Sequence, residues 1–385
     1  MSTSRASAGR WRGAAEIVDY VRRHPGATRA EVGRALGLSS GSTTEILVRL
    51  RASRLLDEVP SPTTGRGRPT TVLRPSAAGP LVLAAEIRHE DWRWCLVEVD
   101  GRLGTMHVGR HDGAEPDRVL ADLRQSMRRA HTDRLVGVSL AVAATVRDGR
   151  LVQASTLGWG SVDVSGLTEL PLTVGNDATL AGVAEARTGA AAGARTALHL
   201  TVEVGVGGTL TADGTPLTGA HGSAGEYGHL PLGDPSLRCP CGATGCWDLM
   251  VDGRALARHL GDPSPVDARS YAHRVLRSAS SSSAASAAVS TVVTALARGV
   301  AGLVNAHDPD VVTLGGLAVP LRAAAPDAFE TAYLDGLMAF RRSAPPPVSD
   351  SVHGDDGALH GAAAVGWDRV TGPEALADWA DRAKG

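Results

Sequence analysis

The stretch from Gly219 to Met250 reads GAHGSAGEYGHLPLGDPSLRCPCGATGCWDLM and holds three of the four cysteines of the chain. Cys239, Cys241 and Cys246 are spaced C-x-C-x4-C, and Gly242 and Gly245 lie between the last two. A structural zinc takes four N or S ligands at about 2.0–2.3 Å, and a short glycine-containing loop can wrap three thiolates around one ion. His229, ten residues before Cys239, is the best fourth ligand because a strand-and-turn spacer can fold back over that distance. His221 is the alternative. The adjoining Glu226 places a carboxylate beside the cluster, so the same loop can shape a polar pocket.

Outward from this loop, 385 residues allow two or three domains with real cores. No signal peptide opens the chain, and no stretch reads as a membrane span, so a cytoplasmic protein is expected. Few cysteines, most of them clustered, fit a reducing compartment and a metal rather than disulfides. The net charge of −2 is unevenly spread. Residues 1–74 carry thirteen Arg against six Asp or Glu, a net of +7, which leaves about −9 for the remainder. A basic head on an acidic body predicts that only the head meets a polyanion.

The head, residues 1–75, reads as three helices and a wing. Ala14 to Arg23 is helical with Ile17, Val18 and Val21 on one face. Thr28 and Glu31 then form a T-x-x-E capping box ahead of a second helix that ends at Gly37. A third helix opens in the hydroxyl-rich run from Ser39, with Ile46, Leu47 and Leu50 facing inward. Two short helices joined by a glycine turn form a helix-turn-helix, and residues opening the second enter the major groove. Ser40, Ser42, Thr43 and Thr44 are the candidates for base edges, with Arg49 for phosphate. Strand, basic loop 64–69 and strand follow, and Arg66 and Arg68 suit a narrow minor groove. Double-stranded DNA is therefore the expected partner of the head.

The body, residues 76–385, alternates strands and helices, which predicts α/β layering in two lobes with a cleft between them. The lobes are placed at about 80–185 plus the C-terminal helix, and at 186–365. A long helix is expected over Val289 to Asn305, after an exposed serine-rich loop at 278–284. Asn176 and Asp177 follow a strand and open a helix, where polar side chains either cap the helix or line a ligand crevice. Gly205-Val206-Gly207-Gly208 reads either as a turn cradling phosphate or as a tight hairpin.

The order of these motifs, a winged helix-turn-helix with GRGRP, then Gly158-Trp159, Asn176-Asp177, GVGG, GAHGSAGEYGH, C-x-C-G-x-x-G-C and LGG, resembles the ROK proteins. These are repressors and sugar kinases, and the head points to the branch of the xylose-operon and N-acetylglucosamine repressors. The resemblance implies an actin-like, ribonuclease-H-like body of two lobes. It implies a structural zinc on His229, Cys239, Cys241 and Cys246 within a loop spanning 229–246. It also implies sugar contacts from Asn176, Asp177, Glu226, His229 and Asp248, where the family usually has Glu at the last position. Kinase members carry a D-x-G-G-T phosphate loop where this chain has Glu86-Ile87-Arg88-His89-Glu90-Asp91. The glycines that let amides approach phosphate are missing, and Glu90 and Asp91 are expected to repel a triphosphate. The resemblance thus implies a sugar-responsive transcriptional regulator, a repressor acting as a homodimer or tetramer, in which Asp177 is a vestigial base. The alternative is an active sugar kinase carrying a DNA-binding head.

Overall fold

The computed structural model describes residues 5–61, 71–130 and 132–383, with side chains from residue 11 onward. Helix α1 (Arg5–Arg23) starts well before the expected Ala14. It lays Trp11, Ala14, Val18 and Val21 along one buried stripe at helical spacing. Helix α2 (Arg29–Ala35) starts at the capping box, with Thr28 Oγ1 accepting from Glu31 N at 3.2 Å and Glu31 Oε2 accepting from Thr28 N at 2.7 Å. Helix α3 (Ser40–Ala52) is capped by Ser39, whose Oγ accepts from Ser42 N. Strands β1 (Leu56–Pro60) and β2 (Thr71–Pro75) pair antiparallel as the wing, and Arg66 and Arg68, between them in sequence, lie outside the described residues.

The first lobe is the sheet β5-β4-β3-β6-β9. Its elements are β3 (Leu81–Ile87), β4 (Asp91–Val97), β5 (His107–Arg110), α4 (Pro116–Arg128), β6 (Leu135–Val142), the small hairpin β7 (Thr145–Arg147) and β8 (Arg150–Gln153), and β9 (Leu172–Asn176). Helix α5 (Asp177–Thr188) leaves the end of β9 and packs on the second lobe. That lobe is the sheet β12-β11-β10-β13-β14. It contains β10 (Thr196–Glu203), β11 (Gly205–Ala212), β12 (Thr215–Pro216), α6 (Gly253–Leu260), α7 (Ala268–Ser278), α8 (Ser283–His307), β13 (Val311–Gly316), α9 (Ala318–Ala324), α10 (Pro326–Gly336) and β14 (Val348–Asp350). The chain then returns to the first lobe as α11 (Gly357–Val370), which lies on β3, β6 and β9, and ends in α12 (Pro373–Arg382).

The lobes therefore meet at α5 against α11. The contact is close: a Cβ on Gly361 would lie 1.8 Å from Leu180 O. The exchange points fall near 177 and 357 rather than at 186 and 365, because α5 packs on the sheet of the lobe it enters and α11 on the sheet of the lobe it rejoins. Glu185, fully buried on α5, pins this junction. Its carboxylate accepts from Ser351 Oγ at 2.6 Å, His353 N at 3.0 Å, Val352 N at 3.2 Å and Ala190 N at 2.8 Å.

Two local expectations change. The serine-rich loop shrinks to a short turn, because Ser282 caps α8 and the helix runs from Ser283, six residues earlier than expected. That helix is long and apolar enough to span a membrane, contrary to the sequence reading. Its Val289, Val292, Val293, Leu296, Val300 and Val304 are nevertheless buried in the core of the second lobe.

The head does not hang on a linker. Trp11, Ile17, Val18, Leu50, Leu55 and Leu73 share one apolar cluster with Val82, Trp367, Val370, Leu376 and Trp379 of the body. Trp379 Nε1 also donates to Ser53 O at 2.8 Å. Helix α12 thus belongs structurally with the head.

Candidate functional site: a polar cleft beside a Cys3His cluster

Between the lobes lies a cleft of about 460 Å³ lined by the ends of β3, β9, β10 and β13, the 226–229 turn and the 239–241 loop. Asn176 and Asp177 stand at the boundary of β9 and α5, where Asn176 caps the helix and both residues line the cleft. Asn176 Oδ1 caps the helix by accepting from Thr179 N at 2.9 Å, while its Nδ2 donates to Ala144 O at 3.2 Å. Asp177 Oδ1 accepts from Ala178 N at 2.8 Å, and the residue lines the cleft. Burial pushes its pKa up to about 7, and the negative charges of Glu86 and Glu226 add to the shift. Such a carboxyl exchanges a proton near neutrality.

Across the cleft Glu226 Oε1 accepts from Thr145 Oγ1 at 2.7 Å, and Oε2 faces His229 Nε2 at 3.9 Å. The other ring nitrogen, His229 Nδ1, points at Cys239 Sγ, 3.8 Å away. Cys241 and Cys246 hold their Sγ atoms 3.7 Å apart, and the four candidate ligand atoms all lie within 4.8 Å of one another. A tetrahedron with bonds near 2.3 Å has edges of roughly 3.8 Å, so these residues fit a tetrahedral ion. His221 is exposed and takes no part in the cluster. Cys95 is buried in β4, away from it.

Asp248, two residues past Cys246, joins the cluster to the cleft. Its Oδ1 accepts from Val206 N at 2.6 Å, and Oδ2 lies 3.8 Å from His229 Nδ1. Two glycines make room for it. A Cβ on Gly228 would lie 1.9 Å from Asp248 Oδ1, and Gly205, at φ +117°, would place one 2.9 Å from Oδ2. The Gly205–Thr209 run is therefore a tight β10–β11 hairpin that receives a carboxylate, with Glu203 pairing Gly205 across the turn. The reading as a phosphate-cradling turn is set aside.

The other half of the cleft is crossed by ion pairs that the sequence did not reveal. Arg93 Nε donates to Glu86 at 2.6 Å and Nη1 to Asp356 at 2.7 Å. Arg269 binds Glu203 and Asp355, each at 3.0 Å. Burial, opposed by Arg269 but aided by Asp355, Glu86 and Asp177, holds the Glu203 pKa up at about 7. In the 88–91 turn, Arg88 grips Asp91 with two bonds of 2.7 Å, and His89 Nδ1 lies 3.1 Å from Glu90. The expected repulsion by Asp91 is thus blunted by its pairing with Arg88, while Glu90 has an imidazole beside it. The missing glycines remain.

In the head, Ser40 and Ser42 are exposed at the start of α3. Thr44 is half-buried and takes a 2.5 Å bond from Arg29 Nη2. Arg49 is 29 % exposed and bonds Glu45 at 3.1 Å. Thr43 is a correction: it is 2 % exposed, packs against Gly33 and donates to Ser39 O at 2.9 Å. It is buried between α2 and α3 rather than open to a groove, and its place as a base-contacting residue is withdrawn.

The pattern of the ROK family matches residues 118–368, well over half of the chain. The chain belongs to the ROK family. The head, residues 12–67, matches the MarR family of winged-helix domains. Among curated relatives, a glucokinase of Halalkalibacterium halodurans is 30 % identical over 215 residues, 51 % of this chain and 65 % of that protein. A kanosamine kinase of Amycolatopsis mediterranei is 29 % identical over 287 residues, 72 % of this chain and 91 % of that one. Among solved structures, a ROK family transcriptional regulator described as a homologue of the E. coli MLC protein superposes with a TM-score of 0.76 at 19 % identity. The match covers 98 % of this chain and 100 % of that one. A Streptomyces griseus ROK glucokinase, solved with glucose and AMPPNP, covers 75 % of this chain and 99 % of its own at 22 % identity, with a TM-score of 0.66. The fold is therefore a winged helix-turn-helix followed by the actin-like ROK body, as the motif order implied.

Proposed function

We propose that this ROK protein is a sugar-responsive DNA-binding transcriptional regulator, a repressor of carbohydrate uptake or catabolism genes that a sugar bound in the cleft releases from its operator. One observation carries the reading: a winged head is built into the same apolar core as a body whose cleft gathers Asn176, Asp177, Glu226, His229 and Asp248. In this reading those five residues hold sugar hydroxyls, and Ser40, Ser42, Thr44 and Arg49, with Arg66 and Arg68 of the wing tip, meet double-stranded DNA. His229, Cys239, Cys241 and Cys246 hold a structural zinc, which when bound ties the 229–246 loop to the cleft wall. The protein works in a bacterial cytoplasm as a homodimer or tetramer, matching the two-fold symmetry of operator half-sites.

A second reading, an active ATP-dependent sugar kinase with a DNA-binding head, draws support from the kinase relatives and from an Asp177 poised near neutral pH. Against it stands the 88–91 turn, where an Arg88–Asp91 clamp replaces the glycines that would bring amides to phosphate. The two readings separate in one preparation of purified protein. The regulator binds duplex DNA from its own promoter region with a steep salt dependence, and loses it when a sugar is added. Turnover of ATP with any hexose establishes the kinase instead.

A further inference from the structure

Helix α3 of the head turns outward a face that the hydroxyl run at its start does not supply. Thr43, Leu47 and Leu50 point inward, and Ile46 is partly buried against the same core. The opposite meridian carries Gly41, Glu45, Val48 and Ala52, spaced at helical intervals and all exposed. Its two larger side chains stand well clear of the protein, Glu45 at 75 % and Val48 at 63 % exposure. The hydroxyls beside them are engaged by the chain itself. Ser42 Oγ lies 2.9 Å from Ser39 Oγ, and Thr44 Oγ1 donates to Ser40 O at 2.7 Å. Among the described residues Glu45 has one partner, Arg49 Nη2 at 3.1 Å. An exposed pair one helical turn apart is too weak to keep a carboxylate from a better donor.

We propose that Glu45 and Val48 read base edges in the major groove, Glu45 selecting a cytosine and Val48 a thymine in a neighbouring base pair. The inference rests on the head binding duplex DNA. An ionised carboxylate only accepts, so among phosphates it is tolerated where a base offers it an amine. Cytosine N4 and adenine N6 are the amines of the major groove, and adenine sets the acceptor N7 beside its own, facing a carboxylate with like polarity. Cytosine therefore suits Glu45. Val48 has no polar side-chain atom, and thymine is the base that presents a methyl group there. Val48 lies about 4.5 Å along the helix axis from Glu45, against about 3.4 Å between base pairs, which puts it at an adjacent pair.

The test selects binding sites from a library of randomised duplexes, using the full chain and the variants Glu45→Gln, Glu45→Ala and Val48→Ser, with thermal melts to confirm that each folds. The parent is expected to enrich a motif with a cytosine in each half-site, and changing that cytosine should weaken its binding roughly tenfold. Glu45→Gln should exchange the cytosine for adenine, since Gln bonds N6 and N7 together. Glu45→Ala should be indifferent there, yet bind an unrelated duplex at least as tightly as the parent, because a negative charge has left the groove. Val48→Ser should lose the neighbouring thymine. Each residue stands or falls by its own position in the motif. Unchanged base preferences in the variants overturn the inference and leave DNA binding standing. An equal loss of affinity for every duplex overturns it too, by showing that the residue shapes the head without reading bases. If the parent enriches no motif, the regulator reading falls and this inference falls with it.

Discussion

The two ends of α5 are built to opposite ends. At its start, Asp177 sits in the cleft with one backbone partner and no basic neighbour, and its pKa is pushed up to about 7. At its finish, Arg187 is tied to Asp368 of α11 at 2.7 Å. Asp368 also receives Arg22 of α1 at 3.0 Å, and that guanidinium reaches Ala364 O at 2.7 Å as well. One end holds a half-buried carboxyl, bonded to the chain through Ala178 N, facing a space that a ligand can fill. The other is fully paired and fastens the head. A helix that holds the candidate sugar site at one end and the head at the other is a short, stiff link between them, twelve residues or about 18 Å long.

In the last turn of that link, Glu185 should show the largest effect. It collects four donors, three from the 351–353 segment ahead of the return crossing and one from Ala190 just past the helix, and these hold its carboxyl below the ordinary range despite burial. Glu185→Ala leaves those donors unpaired in the interior and should cost about 3–5 kcal/mol in urea unfolding. Glu185→Gln, which keeps the shape, should cost less. Equal losses in the two variants would mean that the charge, rather than the donor count, holds the junction.

Asp177→Asn should act in the other direction. Burial, Glu86 and Glu226 raise the folded pKa to about 7, so the folded protein keeps a proton that the unfolded chain releases near pH 4. Between about pH 4 and pH 7 the folded state binds more protons, and this group's contribution to stability falls as pH rises, levelling above 7. Asn carries no such cost. The variant should be more stable than the parent by about 1–2 kcal/mol at pH 8, with the gap closing towards pH 4. Thermal melts from pH 5 to pH 8 read this directly, and a gap that is constant with pH would place the effect in packing.

These contrasts also explain what could be read without coordinates. The capping box at Thr28, the hydroxyl-rich start of α3 and the C-x-C-x4-C loop are local: their partners lie within a few residues, and spacing alone announces them. The cleft-lining residues of the 226–248 segment were legible because they adjoin the closely spaced cysteines and His229. Thr43 was misassigned because a short hydroxyl at the start of a helix looks alike whether it faces a groove or bonds back to Ser39 O. Arg22, Arg93, Arg269 and Asp368 carry no local mark. Arg22 and Asp368 stand 346 residues apart, and an arginine at 22 reads as one more basic residue of a basic head. Likewise nothing in the sequence around Val82 and Trp379 marks them as sharing a core with the head.

The smallest effect is expected at Asp368, and it sharpens the comparison most. Its carboxylate is 39 % exposed and serves two arginines of unequal burial, Arg22 at 8 % and Arg187 at 17 %. Exposed pairs of this kind contribute about 0.2–1 kcal/mol, because water screens the acid and both side chains lose freedom. Asp368→Asn should therefore cost about 1 kcal/mol, and a double-mutant cycle should divide it unevenly. Coupling to Arg22 should exceed coupling to Arg187, since the more deeply buried guanidinium has less water to fall back on. If both couplings vanish while the head still melts together with the body, the apolar seam around Trp379 and Val82 alone fastens the head, and the far end of α5 is fixed by packing rather than by charge.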